Sequence, residues 1–292
     1  MNTEAASPAA GRAIIAIRRA RPLVTAGDSF ALRYLAPADL PPGLVPIPLD
    51  ESAGPYSFVE IDARLSDADA LAGFGIDAGQ ARFADVMVQL GRFERAERER
   101  LLRAIALAQW SHEHRFCPIC GFALHWDAGA RTKSCANPEK SHHHFPRTDP
   151  ATIMLVCDDS RALLGRQRSW PPGMYSTLAG FIEPGETAEA GVAREVFEET
   201  GVRVSDIRYF GSESWPFPRS LMLGFTARAT THDIAIGEEM DDVRWFTRDE
   251  VAAMQSTVRE RLPYFDTIAR RLLAAWLGSE ENAALGKEAQ RK

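Results

Sequence analysis

The stretch GFIEPGETAEAGVAREVFEETGV, from Gly180 to Val202, restricts what this chain can fold into more than any other part of it. Gly180 and Gly185 flank a turn that holds Pro184, and a helix starts near Thr187, a side chain suited to an N-cap, with Ala188 and Glu189 in its first turn. On that helix Glu195 and Glu199 are i, i+4 neighbours and Glu198 is i+3 from Glu195, so three carboxylates share one edge. Like charges at this spacing cost an isolated helix roughly a few tenths of a kcal/mol each. A solvated face would interleave lysines, and only Arg194 interrupts the acids. Val192, Val196 and neighbouring alanines mark the buried side. Clustered carboxylates with so little counter-charge are what a hard divalent cation requires of its oxygen ligands. Gly201 then closes the helix.

Around this helix, 292 residues suffice for two or three domains with cores of their own. A charged fraction of 25% is ordinary for a soluble protein, and a net charge of -6 argues against broad nonspecific binding to nucleic acid. No apolar run approaches the ~20 residues of a membrane span. The opening MNTEAASPAAGRA has no apolar core behind a basic stretch and does not read as a secretory signal. The expectation is a soluble, cytoplasmic chain with no membrane partner.

Residues 1–110 are expected to form an N-terminal α/β scaffold or dimerisation domain. In it YSFVEI reads as a strand, and the run from Ala81 to Phe116 supplies one or two helices. Residues 111–147 hold the cysteine cluster, 148–280 a C-terminal α+β domain, and 281–292 a polar tail. In the C-terminal part ATIMLVCDD, RYFGSESW, LMLGFTARAT and DVRWF read as strands, and YFDTIARRLLAAWLG as an amphipathic helix.

Three of the four cysteines are clustered, which suits a cytosolic metal site better than a disulfide framework. Cys117 and Cys120 form a C-x2-C turn matched to tetrahedral zinc, and Cys135 follows. A second knuckle would place another cysteine shortly after Cys135, but Ala136 to Lys140 hold none and SHHHF offers imidazoles instead. His142 or His143 can complete a Cys3His site, and His142 is the nearer. Such a zinc has no open position and is structural. His112, His114, His125 and His232 lack partners at ligand spacing and read as surface or capping residues, and Cys157 as a small buried hydrophobe.

Gly180, Glu186, Arg194, Glu195, Val196, Glu198, Glu199, Gly201 and Val202 stand at the spacing of the Nudix box, and the chain resembles the Nudix hydrolase family at every defined position of it. The resemblance implies an α/β/α sandwich with a mixed sheet, behind a zinc ribbon and the N-terminal α/β domain. It implies hydrolysis of a nucleoside diphosphate linked to another group, by water attack on phosphorus with magnesium or manganese. Glu195 and Glu199 would be direct metal ligands and Glu198 a ligand or the group orienting the water. The Ala179 backbone carbonyl would join them, with an acid from a later loop. Asp242 in EEMDDVRWF is taken as that acid, and Asp241 and Glu239 compete with it because the register there is not readable. Glu186 and Arg194 are expected to pair and brace the loop against the helix.

The segment SESWPFPRS is similar to the S-Q-P-W-P-F-P-x-S signature of the NADH pyrophosphatase branch, whose members also remove NAD caps from RNA. Ser212, Trp215, Pro216, Phe217, Pro218 and Ser220 stand as in that branch, with Arg219 at its free position. Glu213 replaces the glutamine and Ser214 the first proline. The resemblance implies NADH or NAD as substrate, a homodimer, and substrate contacts from Glu213 to Ser220. It adds base stacking by Phe181 and Phe145 and a contact at Ala269. Glu213 would meet a ribose hydroxyl or a carboxamide NH2 rather than a phosphate. The rivals are another dinucleotide, such as ADP-ribose or a diadenosine polyphosphate, and a catalytically dead zinc-ribbon regulator that binds nucleic acid.

Overall fold

The computed structural model describes residues 13–27, 30–49, 55–127, 131–170, 172–258 and 267–278. The chain divides into two compact units, Met1–Arg147 with Pro216–Arg219, and Thr148–Trp215 with Ser220–Lys292. The ribbon expected to stand as its own domain shares the first unit with the N-terminal sheet.

In that unit β1 (Ala13–Arg18) is buried along its whole length, as a central strand with covered faces must be. It turns into β2 (Arg21–Thr25) through Arg19 and Ala20 at φ 50° and 61°, the left-handed pair that a tight hairpin needs. β3 (Ile47–Pro48), β4 (Tyr56–Glu60) and β5 (Ala81–Phe83) complete a sheet of order β3-β4-β1-β2-β5. The helix α1 (Asp67–Gly73) is capped by Ser66, whose hydroxyl accepts from the Asp69 N–H. The helix α2 (Arg95–Glu113) buries Leu101, Ile105, Ala108 and Trp110. Ala81–Phe83, expected in a helix, is a strand. Its residues alternate buried and exposed and pair with Leu23–Thr25 at the sheet edge, and that pairing outweighs the helical spacing of the longer run.

The ribbon strands β6 (Leu124–Trp126), β7 (Lys133–Cys135) and β8 (His143–His144) form a second, three-stranded sheet. Lys133 fastens it to the end of α2. Its buried ammonium donates to the Ser111 carbonyl (3.1 Å), the Ser111 hydroxyl (2.9 Å) and the His114 carbonyl (3.0 Å), between the rings of Trp110 and Trp126. Burial lowers the Lys133 pKa to about 8, and the three acceptors with the two ring faces replace the lost hydration.

The second unit carries a six-stranded mixed sheet. Its strands are β9 (Asp149–Cys157), β10 (Arg161–Gln167), β11 (Leu178–Phe181), β12 (Val204–Trp215), β13 (Ser220–Ala229) and β14 (Met240–Thr247). The order is β12-β13-β9-β10-β14, with β11 paired to β9, and β13 runs parallel to β9. Helices lie on both faces: α3 (Ala188–Thr200) on one, α4 (Arg248–Val258) and α5 (Ile268–Leu277) on the other. This explains the unbroken apolar run of β9, since Met154 and Val156 pack with Val192 and Val196 of α3 while Ile153 and Leu155 pack with Val251 and Leu272. The α/β/α sandwich with a mixed sheet is thus present. The part of the C-terminal helix expected at 264–266 and the tail 281–292 lie outside the described residues. Among the described residues no helix is long and apolar enough to cross a membrane.

Candidate active site

The acidic edge is assembled by local caps and then closed by a loop from elsewhere in the second unit. Thr187 accepts from the Ala190 N–H at 3.2 Å and starts α3, and Gly201 ends it at φ 71°. Arg194 forms a two-pronged pair with Glu186 at 2.9 and 3.0 Å, the brace that the resemblance implies. It also donates to Glu195 and Glu198, each at 2.9 Å, and to the Phe181 carbonyl at 2.7 Å, so one guanidinium orients the loop and two carboxylates together. These hydrogen bonds, Glu186's first among them, push the Arg194 pKa well above its ordinary value, and the Arg194 pair holds Glu186 below its own. A Cβ added at Gly180 would overlap the Glu195 carboxyl group, so glycine leaves that carboxyl its place over β11.

Glu199 is 6% exposed, and its Oε2 has no hydrogen-bond partner among the described residues. Burial pushes its carboxyl up to about 8, and the charges of Glu195 and Glu239 add to the rise, against the Ala179 backbone N–H, which favours the charged form. Burial raises Glu195 too; Arg194 works against that rise, and Glu198 and Glu239 add to it. Two carboxyl groups raised by burial and by neighbouring acids, one with an oxygen buried and unpartnered among the described residues, form a donor set that fits a divalent cation.

Of the three loop acids, Glu239 is the one whose charge acts on both Glu195 and Glu199, while the expected Asp242 is engaged by other partners. Asp242 accepts from the Tyr175 hydroxyl and pairs with Arg244 at 2.5 Å, bonds that outweigh burial and hold its carboxyl below the usual range. Asp241 pairs with Arg166 at a β-bulge, where β14 carries one residue more than β10. Glu239 instead ends a loop bonded to the last carbonyls of α3. The Ala235 N–H donates to the Thr200 carbonyl at 2.8 Å, and the Gly237 N–H to the Glu199 carbonyl at 2.9 Å. A Cβ on Gly237 would collide with the Glu198 carbonyl oxygen, so this close approach requires glycine. The bulge and these long-range bonds carry no signal in the sequence pattern.

Of the signature residues in the second unit, Ser214 is exposed, Trp215 half-buried, Ser220 buried, and the Phe181 ring 57% exposed. Ala269 lies in the first turn of α5, half-buried against the core there. Glu213 accepts from the Ile268 backbone N–H at 2.7 Å, a protein partner rather than an outward-facing position. In the first unit Phe145 is 72% exposed, the Gln109 amide donates to the Pro216 carbonyl at 2.7 Å, and Arg219 pairs with Glu113. Phe217 is half-buried and Pro218 exposed.

The ribbon brings Cys117, Cys120, Cys135 and His142 together, with ligand atoms all within 4.8 Å of one another. The His142 N–H donates to the Cys135 sulfur at 3.1 Å. Burial alone would raise the Cys135 thiol, but hydrogen bonds from the His142 and Asn137 backbones lead those that bring it to about 6, a thiolate suited to zinc. His143 faces Ser134 instead, at 2.9 Å, and the His144 ring lies 3.3 Å from the Cys117 sulfur. His112 pairs with Glu60 and His232 with Asp158, consistent with surface roles. Cys157 is half-buried, its thiol directed at the Ala227 carbonyl.

Residues 147–266 match the NUDIX domain family. The chain is 43% identical over 175 residues to the NAD-capped RNA hydrolase NudC of Stutzerimonas stutzeri, covering 60% of each. It is 38% identical over 192 residues to the human NAD-capped RNA hydrolase NUDT12, covering 62% of this chain and 42% of that one. The chain thus spans less than two thirds of the length of either relative. A crystal structure of a NUDIX hydrolase from Nitrosomonas europaea aligns with a TM-score of 0.41 and 28% identity, over 47% of this chain and 79% of that one.

Proposed function

We propose, on the premise that residues 147–266 are a NUDIX domain, that this chain hydrolyses the diphosphate bond of NADH or NAD to nicotinamide mononucleotide and AMP, and removes NAD caps from RNA 5′ ends. The observation that carries the chemistry is the buried Glu199 carboxyl group, with one oxygen unpartnered among the described residues and its pKa raised by burial and by Glu195 and Glu239. Glu195, Glu199 and Glu239, with the Ala179 carbonyl, would hold magnesium or manganese. A divalent ion there supplies neutralisation of the diphosphate oxygens and a more acidic attacking water. Glu198 is the most exposed carboxylate of the helix edge and is steadied by Arg194, so it orients that water. Water adds to one phosphorus, the bridging P–O bond breaks, and the second phosphate leaves.

The substrate reading is supported by the W-P-F-P stretch and by relatives named NAD-capped RNA hydrolases. Phe181 and Phe145 expose rings on which bases can stack, each stack worth about 1–3 kcal/mol. Zinc held by Cys117, Cys120, Cys135 and His142 is structural, because four protein ligands leave no position for substrate. Free thiols suit the reducing cytoplasm, and the resemblance to the NADH pyrophosphatase branch supports a homodimer as the working form.

The test is a panel of NADH, NAD, NAD-capped RNA, ADP-ribose and diadenosine polyphosphates with magnesium, ranked by kcat/KM. The nicotinamide substrates are expected to lead by at least about tenfold, one base-stacking contact in energy. A lead for ADP-ribose or a diadenosine polyphosphate would replace the substrate, and no hydrolysis at all would remove the enzyme reading.

A further inference from the structure

The Glu213 carboxylate stands in β12 where the similar signature carries glutamine, and its Oε2 accepts from the Ile268 N–H at 2.7 Å, across 55 residues of chain. Ile268 is the first residue of α5. The N-cap residue Thr267 makes no side-chain cap bond of its own. A helix N-terminus leaves backbone N–H groups without intrahelical partners, and a carboxylate there is favoured by the hydrogen bond and by the helix dipole. Glu213 therefore supplies from the sheet the cap that Thr267 does not.

Two further contacts fasten the same turn. Gly211 and Gly224 face each other across β12 and β13, and a Cβ added at Gly224 would lie 2.5 Å from Ile268 Cδ1 and 2.9 Å from its Cγ1. Ile268 is fully buried over this bare strip of sheet. Arg271, one turn on, approaches the Ser212 carbonyl at 3.4 Å. The start of α5 is thus seated on the strand that leads into W-P-F-P, and the residue after Ile268 is Ala269.

We infer that Glu213 is a positioning residue for the substrate site: it tethers the N-terminus of α5 and so holds Ala269 and the first helical turn against β12, and it does not itself read the dinucleotide. This rests on the dinucleotide hydrolase reading for its catalytic consequence, but the tether is independent of it. The glutamate that replaces glutamine is then directed at a backbone N–H rather than presented to the diphosphate.

The experiment uses the full chain with Glu213→Ala, Glu213→Gln and the double variant Glu213→Ala with Thr267→Asp, which moves a carboxylate to the N-cap. Glu213→Ala is expected to raise the KM for NADH about tenfold with kcat within about threefold, the scale of a lost cap. The glutamine variant, which keeps an acceptor oxygen, should hold KM within about threefold of wild type. The double variant should recover most of the lost KM. It cannot do so if Glu213 touches substrate, so a raised KM that Thr267→Asp fails to restore overturns the inference, as does an unchanged KM in Glu213→Ala. Amide exchange at Ile268 to Arg271 provides an arm without substrate: it should quicken in Glu213→Ala and slow again in the double variant. If no variant and no wild-type protein cleaves a dinucleotide, the hydrolase reading fails, and exchange still decides the tether. Exchange unchanged by Glu213→Ala overturns it.

Discussion

In the first unit three thiols and an imidazole lie within 4.8 Å of one another, brought there by short hairpins and steadied by backbone N–H donors such as that of His142. In the second unit the carboxylates come from a helix edge and a distant loop; burial and neighbouring charges raise Glu195 and Glu199, and a buried Glu199 oxygen has no partner among the described residues. Both sets suit a cation, but the first is complete as a polyhedron of protein atoms and the second is not. A closed set ties a cation's binding energy to folding. An open one leaves the unfavourable repulsion standing until a cation and a substrate arrive. Loss of a ligand should therefore be felt as stability in the ribbon and as rate at the helix.

The largest effect tests the rate side. Glu199→Gln removes a charge and a buried repulsion while keeping the shape, so kcat at saturating magnesium should fall at least about 100-fold with the fold intact. Retention of more than about a tenth of wild-type kcat would mean that Glu199 holds no catalytic cation.

On the stability side, Cys117→Ser should lower Tm by at least about 5 °C, and a chelator should bring wild type towards the variant. Its kcat at a temperature where both proteins are folded should change far less than that of Glu199→Gln. A variant that keeps its Tm but loses its rate would reverse the comparison.

The third prediction concerns pH. With its folded pKa near 8 against an ordinary 4.5, Glu199 binds a proton that a cation must displace. Magnesium affinity should rise by up to about tenfold per pH unit on the approach to pH 8 and level off above it. Without metal the sign for stability is opposite: the increment from the protonated Glu199 is full below 4.5 and lost as the pH rises through about 8. Calorimetric titrations in two buffers of different ionisation enthalpy would count the released proton; zero release at pH 6.5 would contradict the shift.

The smallest effect sharpens the choice of loop acid. Gly237→Ala forces the loop off the α3 carbonyls and should weaken manganese binding, read directly by electron paramagnetic resonance, by about fivefold. Asp242→Asn should leave manganese affinity unchanged if Glu239 is the ligand, and lower it if the acid is Asp242 after all.

Much of this could be read from the chain because the relevant contacts are local. The carboxylate edge follows from helical spacing of Glu195, Glu198 and Glu199, the brace from Glu186 and Arg194 eight residues apart, and the ribbon from a C-x2-C turn. Caps at Thr187 and Gly201 bound the helix within a few residues of themselves. Even the buried strand β9 shows as an apolar run, since both of its faces are covered. The tertiary structure decided what depends on register and on approach between distant segments. Ala81–Phe83 became an edge strand because β2 offered it a ladder, overriding a helical pattern. Glu239 is the acid whose charge reaches Glu195 and Glu199, beyond a one-residue bulge opposite Arg166 and two loop hydrogen bonds to the end of α3, while Asp242 is bonded to Tyr175 and Arg244. Glu213 found its partner 55 residues away. A change of one residue in register redirects a side chain to the other face of a sheet at little local cost, so only the packed fold selects among such neighbours.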